Sequence, residues 1–344
     1  MTDHHPAAAV SEVALLLYPG AQAAVVHGLA DLLWIAGSFA GARGTVPLRI
    51  THWALDSFGA LARVGDAHAA PFAIEGPLQP DMLIVPGVLG APVGADAASP
   101  YRDPLRKLHA QGVVIASSCN GAFLLGHAGL LDGRRATTHW HFATAFEQAF
   151  PHATLTAGEI IVDEGSVVTA GGFMAWTDLG LRLVARLYGP EITSETARFL
   201  LLDPAGREQR HYGAFVPNTA HGDASVYRVQ EWLAARDGRS VSIPQMAEVA
   251  GLEERTFLRR FKAATGFKPT EYAQNLRVAK ARDLLEHSNH SIDQIAWMVG
   301  YEDSAAFRRI FQRSLGLSAA EYRKRFGVGG HPAPADRPPL LAAG

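Results

Sequence analysis

A single cysteine, Cys119, stands in 344 residues, so no disulfide can close within the chain. Cysteine poverty of this kind points to the reducing cytosol. Uninterrupted apolar runs fall well short of the ~20 residues a membrane span requires, so no span is expected. The opening Met1–Pro6 is polar and lacks the basic start of a secretory leader, which predicts a cytoplasmic protein. No Cys/His/carboxylate set has zinc spacing. His139 and His141 lie two apart, and His4–His5 sit near the terminus. No glycine-rich phosphate loop follows a strand pattern either. Neither metal nor cofactor is therefore expected.

Net charge is also nearly absent, at −2, but the balance is uneven along the chain. Residues 1–224 hold 13 basic and 20 acidic side chains, a balance of −7, whereas residues 225–328 hold 17 and 12, a balance of +5. A basic second part suggests that this part alone meets nucleic acid. Length allows two domains with proper cores. The pattern predicts a first domain over 8–212, a linker over 213–224 marked by Pro217, Asn218 and Gly222, a second domain over 225–328, and a disordered Pro/Gly/Ala-rich tail over 329–344.

The second domain carries one pattern twice. Ile243, Ala247 and Gly251 recur as Ile292, Ala296 and Gly300, offset by 49. Phe257, Phe261, Gly266 and Tyr272 recur as Phe307, Phe311, Gly316 and Tyr322, offset by 50, so the second turn holds one extra residue within Tyr301–Asp303. Apolar residues at i, i+3, i+4 and i+7, a terminating glycine and a second Phe-bearing helix read as helix-turn-helix. The second helix of each copy points basic residues outward: Arg255, Leu258 and Arg259, flanked by Arg260 and Lys262, and then Ser304, Ala305, Arg308, Arg309 and Arg313. Arginine forks suit guanine edges and phosphates. A connecting helix over Pro269–Glu286 spans about 27 Å at ~1.5 Å per residue, close to the one DNA turn separating successive major-groove segments.

Arg255-Thr-Phe-Leu-Arg-Arg-Phe-Lys262, Thr265-Gly-Phe-Lys-Pro269, Val299-Gly-Tyr-Glu-Asp-Ser304, Phe307-Arg-Arg-Ile-Phe311 and Gly316-Leu-Ser318 make this region resemble the AraC/XylS transcription regulators. Double-stranded DNA is the partner that the resemblance implies. One departure is Ala319, where the family usually has proline, which predicts a looser helix start.

Residues 8–212 alternate apolar strands with helices: strands at Val13–Tyr18, Leu48–Ala54, Met82–Val85, Val113–Ser117, Ile160–Asp163 and Val167–Ala170, and helices at Ala23–Ala36, Leu105–Gln111, Phe123–Leu131 and Trp176–Leu187. The alternation predicts an α/β fold, a flavodoxin-like three-layer mostly parallel sheet, followed by the all-α domain with two helix-turn-helix motifs. Cys119 sits between a strand and a helix N-terminus, where ligands bind and the helix dipole favours thiolate. An accessible, partly ionised thiol is expected there, with Gly121 permitting the tight turn.

Cys119 with Gly121-Ala-Phe-Leu-Leu125, Ala128-Gly-Leu-Leu-Asp-Gly133 and Ala136-Thr-Thr-His-Trp140 resembles the ThiJ/PfpI, class I glutamine-amidotransferase-like superfamily, as do Asp81-Met-Leu-Ile-Val-Pro-Gly87 and Thr169-Ala-Gly-Gly172. Active relatives place a carboxylate early in the first helix. Val25 stands there in this chain, which removes the obvious partner for proton transfer.

The two resemblances together are those of the GlxA-type branch of AraC regulators. They imply a DNA-binding regulator, an activator and a homodimer, that covers two successive major-groove segments and is not an enzyme. The effector is a small molecule, in the class of nitrogenous metabolites, bound by Gly87, Cys119, Asn120, Gly121, His139 and Gly172. The alternative is a cysteine-dependent hydrolase or hydratase using Cys119 and His139, fused to a DNA-binding domain.

Overall fold

The computed structural model describes residues 11–45, 48–68, 79–203, 208–213 and 215–327. The expected tail and His4–His5 lie outside them. The chain divides into two compact units, Met1–Arg210 and His211–Gly344.

The first unit runs β1 (Ser11–Leu16), α1 (Ala23–Gly41), β2 (Leu48–Leu55), β3 (Leu61–Asp66), β4 (Met82–Val85), α2 (Ala95–Ala110), β5 (Val114–Ser118), α3 (Ala122–His127), β6 (Arg135–Ala136), α4 (Ala143–Ala149), β7 (Thr154–Leu155), β8 (Ile161–Asp163), β9 (Val167–Ala170) and α5 (Trp176–Phe199). Among the described residues the main sheet has seven strands in the order β3-β2-β1-β4-β5-β9-β8, all parallel except the edge strands β3 and β8. Strand residues alternate between two cores. Val13, Leu15, Ile84, Ala116 and Val168 face α1 and α5, whereas Ala14, Leu16, Leu83, Val85, Ile115 and Val167 face the side of α2 and α3. Burial on both faces explains why these strands read as continuous apolar runs rather than alternating ones.

The departures from expectation are local. β3 is an edge strand with half-exposed residues, and nothing in its composition marked it. α2 begins ten residues earlier than expected, since Pro100 and Pro104 lie inside it and make the sequence pattern read as broken there. α5 continues past Leu187 through a non-helical residue, Gly189 (φ 79°), followed by Pro190. α1 is long and apolar enough by composition to cross a membrane, although no uninterrupted run suggested it. Val25, Val26, Leu29, Ala30, Leu32, Leu33, Ala36 and Ala40 are buried in the first core, so it is packed as a core helix.

The second unit comprises α6 (Ala224–Ala234), α7 (Ile243–Ala250), α8 (Glu254–Thr265), α9 (Pro269–His287), α10 (Ile292–Met298), α11 (Ser304–Leu315) and α12 (Ala319–Phe326). α7–α8 and α10–α11 are the two copies. Each has its own core: Phe257, Phe261 and Tyr272 meet edge-to-face at 5.4 and 5.3 Å between ring centroids, and Phe307, Phe311 and Tyr322 pack tilted and edge-to-face at 5.6 and 5.5 Å. Gly251 (φ 66°) ends α7 in the left-handed conformation, and Gly300 (φ 85°) serves the same turn in the second copy. Capping boxes at Ser242/Gln245 and Ser291/Gln294 start α7 and α10.

The start of α12 is not loose as expected from Ala319. Ser318 N donates to Glu321 Oε2 at 2.9 Å and Glu321 N to Ser318 Oγ at 3.2 Å, so a capping box fixes the start that proline would otherwise fix. The segment before α6 packs on its own unit. Phe215 meets Tyr272 at 4.9 Å, Gln230 Nε2 donates to the Asn218 carbonyl at 2.8 Å, and Tyr212 lies against Phe326 at 5.5 Å.

Candidate functional sites: a basic helical face and an elbow cysteine

In α8 the burial of Phe257 and Phe261 fixes the opposite face outward. Arg255, Leu258, Arg259 and Lys262 are all exposed there. The side chains of Arg255 and Arg259 have no hydrogen-bond or ion-pair partner among the described residues. Arg260 is placed otherwise. Its Nε and Nη2 donate to Asp223 Oδ2 and Oδ1 at 2.9 and 2.7 Å, and Asp223 in turn caps α6 by accepting from Ser225 N and Val226 N. The fork is engaged inside the unit, whereas Arg260 was expected to flank the DNA-reading face. The guanidinium beside Asp223 also holds that carboxyl below its ordinary range.

In α11 Ala305, Arg308, Arg309 and Arg313 are exposed and Ser304 is half-buried. Asp293 of α10 accepts from Ser304 Oγ and, at 2.8 Å, from Arg308 Nη2. Arg309 lies 3.7 Å from Asp303, both largely exposed. Such solvent-facing pairs are worth little and can be exchanged for phosphate. Sequence reading missed Arg239. Its Nη1 donates to the Met298 carbonyl at 3.0 Å, and Arg277 Nε donates to the Gly238 carbonyl at 2.7 Å. No periodicity marks Arg239, because its role is a contact from the loop before α7 to the end of α10.

In the first unit, Cys119 has φ 52°, so the strained turn is at the cysteine itself and not at Gly121, whose φ of −58° is ordinary. Gly121 is required for a different reason: a Cβ there would sit 2.6 Å from the carbonyl oxygens of both Val85 and Pro86. Gly87 is equally enclosed, with Asn120 Oδ1 at 2.8 Å and Cys119 Cβ at 3.0 Å from where its Cβ would be. The segments that follow β1 and β4 are stitched together by backbone. Ala21 bridges Val88, and Gln22 N donates to the Gly87 carbonyl at 2.8 Å. Asn120 is fully used: Oδ1 accepts from Val88 N at 2.7 Å, and Nδ2 donates to the Val88 and Gly90 carbonyls at 3.1 and 3.3 Å.

The accessible, partly ionised thiol is overturned. Cys119 is completely buried, and that burial pushes its pKa up to about 11, partly offset by the Asn120 backbone N–H. Desolvation outweighs that backbone hydrogen bond here. Val25, at the position of the missing carboxylate, is itself in the core.

His139 is half-buried, with its Nδ1 accepting from His141 N at 3.1 Å, and burial followed by the neighbouring His141 lowers its pKa. Its ring lies 5.3 Å from Trp140, 5.9 Å from Phe142 and 5.9 Å from Phe173, the residue after Gly172. Gly87, Cys119, Asn120 and Gly121 thus form one group and His139 with Gly172 another. They are joined by Thr138 Oγ1, which donates to the Cys119 carbonyl at 2.9 Å.

The helix-turn-helix domain family matches residues 246–325, and the DJ-1/PfpI family matches residues 73–186. The HTH-type transcriptional regulator CdhR of Pseudomonas aeruginosa is 30% identical over 244 residues, covering 70% of this chain and 70% of its own length. The HTH-type transcriptional regulator GlxA of Rhizobium meliloti is 28% identical over 242 residues, covering 69% of this chain and 74% of its own. A crystal structure of an AraC family transcriptional regulator from Pseudomonas putida overlays 55% of this chain and 99% of its own, at 22% identity and a TM-score of 0.43. With its duplicated helix-turn-helix and its elbow-cysteine sheet, the chain belongs to the AraC-type HTH transcriptional regulators that carry a DJ-1/PfpI domain.

Proposed function

We propose that this DNA-binding regulator reads two successive major-groove segments with one chain, using Arg255, Leu258, Arg259 and Lys262 of α8 and Ser304, Ala305, Arg308, Arg309 and Arg313 of α11. The observation that carries the reading is that both helices bury the same phenylalanine pair and turn unpaired or weakly paired arginines to solvent. Arg239 from the loop before α7 and Arg277 from the connecting α9 tie that loop to the second copy, so the helices act as one rigid reader. Footprinting should protect two groove segments about 10 base pairs apart on one face of the duplex. Protection of a single segment per chain overturns the assignment.

The first domain is the sensor. A small nitrogenous effector binds at the elbow end of the sheet, against His139 and the Gly172–Phe173 turn, with Gly87, Cys119, Asn120 and Gly121 as the floor that shapes the site rather than as free donors. Two observations support this. Aromatic faces around a neutral imidazole suit a cationic amine. The Gln22 side chain, at the same sheet end, is buried with no hydrogen-bond partner for Oε1 among the described residues, an acceptor that a ligand N–H can fill. The domain does not turn its ligand over, because Cys119 is protonated and Val25 supplies no base. The chain acts in the cytosol as a homodimeric activator, which sedimentation and a promoter reporter test. A thermal-shift screen over amines and amino acids tests the sensor: a ligand at 100 times its Kd adds about 2.7 kcal/mol. No stabiliser in such a panel, together with none for Gln22→Leu, counts against the site.

A further inference from the structure

Gln209 closes the first unit, one residue before its boundary at Arg210, and is 2% exposed. Its carboxamide is held on both ends. Nε2 donates to Thr137 Oγ1 at 3.0 Å and to the carbonyl oxygens of Thr138 and Glu159 at 2.8 and 3.0 Å. Oε1 accepts from Trp140 N at 3.1 Å. The cradle is fitted to this side chain: a Cβ at Gly171 would collide with Nε2 and lie 2.7 Å from the Thr138 carbonyl. The same Thr138 donates its hydroxyl to the Cys119 carbonyl at 2.9 Å. Trp140 follows His139 directly.

On the far side, the chain is anchored to the second unit almost at once. Arg325 Nη2 donates to Tyr212 Oη at 2.8 Å, and Arg282 donates to the Gly213 carbonyl. Between the Gln209 anchor and the Tyr212 anchor lie only Arg210 and His211. A buried amide with four partners is costly to release and rigid while it is held.

We infer that Gln209 is a latch, a positioning residue that couples the elbow to the connector. While its carboxamide sits in the Thr137–Thr138–Trp140–Glu159 cradle, the connector is fixed on the sensor side. A shift of the Thr138–Trp140 segment withdraws Trp140 N and the Thr138 carbonyl together and frees it. The effector-driven part rests on the reading of the His139 rim as the sensor site, whereas the latch itself does not.

The test uses the full-length protein without effector. Gln209→Glu keeps the shape but replaces both amide donors with acceptors facing two carbonyls and a hydroxyl. Gln209→Leu removes the polar atoms. Arg210 is exposed, so trypsin cleavage after Arg210, read by mass spectrometry, reports an open connector. Both variants should be cut after Arg210 at least tenfold faster than wild type, and effector-free reporter output should move at least fivefold. Wild-type rates of cleavage and wild-type output in both folded variants overturn the latch. Hydrogen exchange on the unmodified protein guards against variants that fail to fold: the Trp140 amide should be protected, and rapid exchange there also overturns it. Failure of the effector screen leaves these readouts intact, so the two readings are separable.

Discussion

Arg239, in the loop between α6 and α7, reaches the second copy of the motif, its Nη1 donating to the carbonyl oxygen of Met298 at 3.0 Å. Its stem runs past Gly300, where a Cβ would lie 3.2 Å from Arg239 Cγ. Arg277 adds a second brace from α9, donating to the Gly238 carbonyl at 2.7 Å and lying over the Tyr301 ring at 5.5 Å. Two basic side chains of a basic unit are thereby assigned to architecture rather than to DNA.

Removing both braces, as Arg239→Ala with Arg277→Ala, should weaken binding to a two-segment operator by about tenfold, since hydrogen bonds of this kind contribute ~0.5–1.5 kcal/mol each. Binding to a duplex carrying one segment should be unchanged. Gel-shift titration on the two duplexes checks it, and equal losses on both would mean that the arginines contact DNA directly.

The outward arginines should behave in the opposite way. Arg259→Ala and Arg309→Ala should each cost on the order of 1–3 kcal/mol in operator affinity if they read bases, with little change in melting temperature. Arg260→Ala should lower the melting temperature of the unit by stranding Asp223 and loosening the α6 cap, while leaving base preference intact. The pH dependence has a defined sign. Asp223 has a depressed carboxyl pKa, so its contribution is present above its unfolded value near ~3.9 and is lost as pH falls through the lower folded value. Melting curves from pH 2 to 6 should show that loss in wild type and not in Asp223→Asn.

Cys119 should resist alkylation by iodoacetamide at pH 7 in the folded protein and react at once in denaturant. Because its folded pKa is about 11 and an unfolded thiol titrates near ~8.5, the native state holds a proton that the unfolded state has lost between those values. Stability must therefore fall as pH rises across that window. Thermal melts at pH 8 and 10.5 should show a drop that Cys119→Ala lacks. Rapid native labelling, or turnover of isocyanides or aldehydes that vanishes in Cys119→Ser, would restore the hydrolase reading.

Ala319→Pro should stabilise the second unit by about 0.4–1 kcal/mol, through a less flexible unfolded chain. Ser318 already has φ −63° and ψ 155°, the conformation that a following proline demands, and Pro269 occupies the equivalent place in the first copy. Urea titration measures the change. A destabilised variant would mean that the buried Ala319 site cannot accept the ring.

The duplicated motif was legible in the chain because helical periodicity, terminating glycines and paired phenylalanines are local signals. So was the parallel sheet, because strands buried on both faces need continuous apolar runs. Residues 95–104, the first part of α2 with its two prolines, and the edge strand Leu61–Asp66 were not legible, since packing rather than propensity holds them. The elbow shows the same division more sharply. Position alone placed Cys119 at the end of β5 beside a helix, and sequence determined that much. Whether the thiol is ionised depends on how completely Gly87, Asn120 and Thr138 close around it. Those residues are 32, 1 and 19 positions away, and no local pattern reports their closure. The same holds for Arg260, Arg239 and Gln209. The sequence placed Arg260 beside the DNA-reading face and singled out neither of the others; tertiary structure gave each a partner 37, 59 and about 70 residues distant, because a hydrogen bond is decided by distance in space and not along the chain.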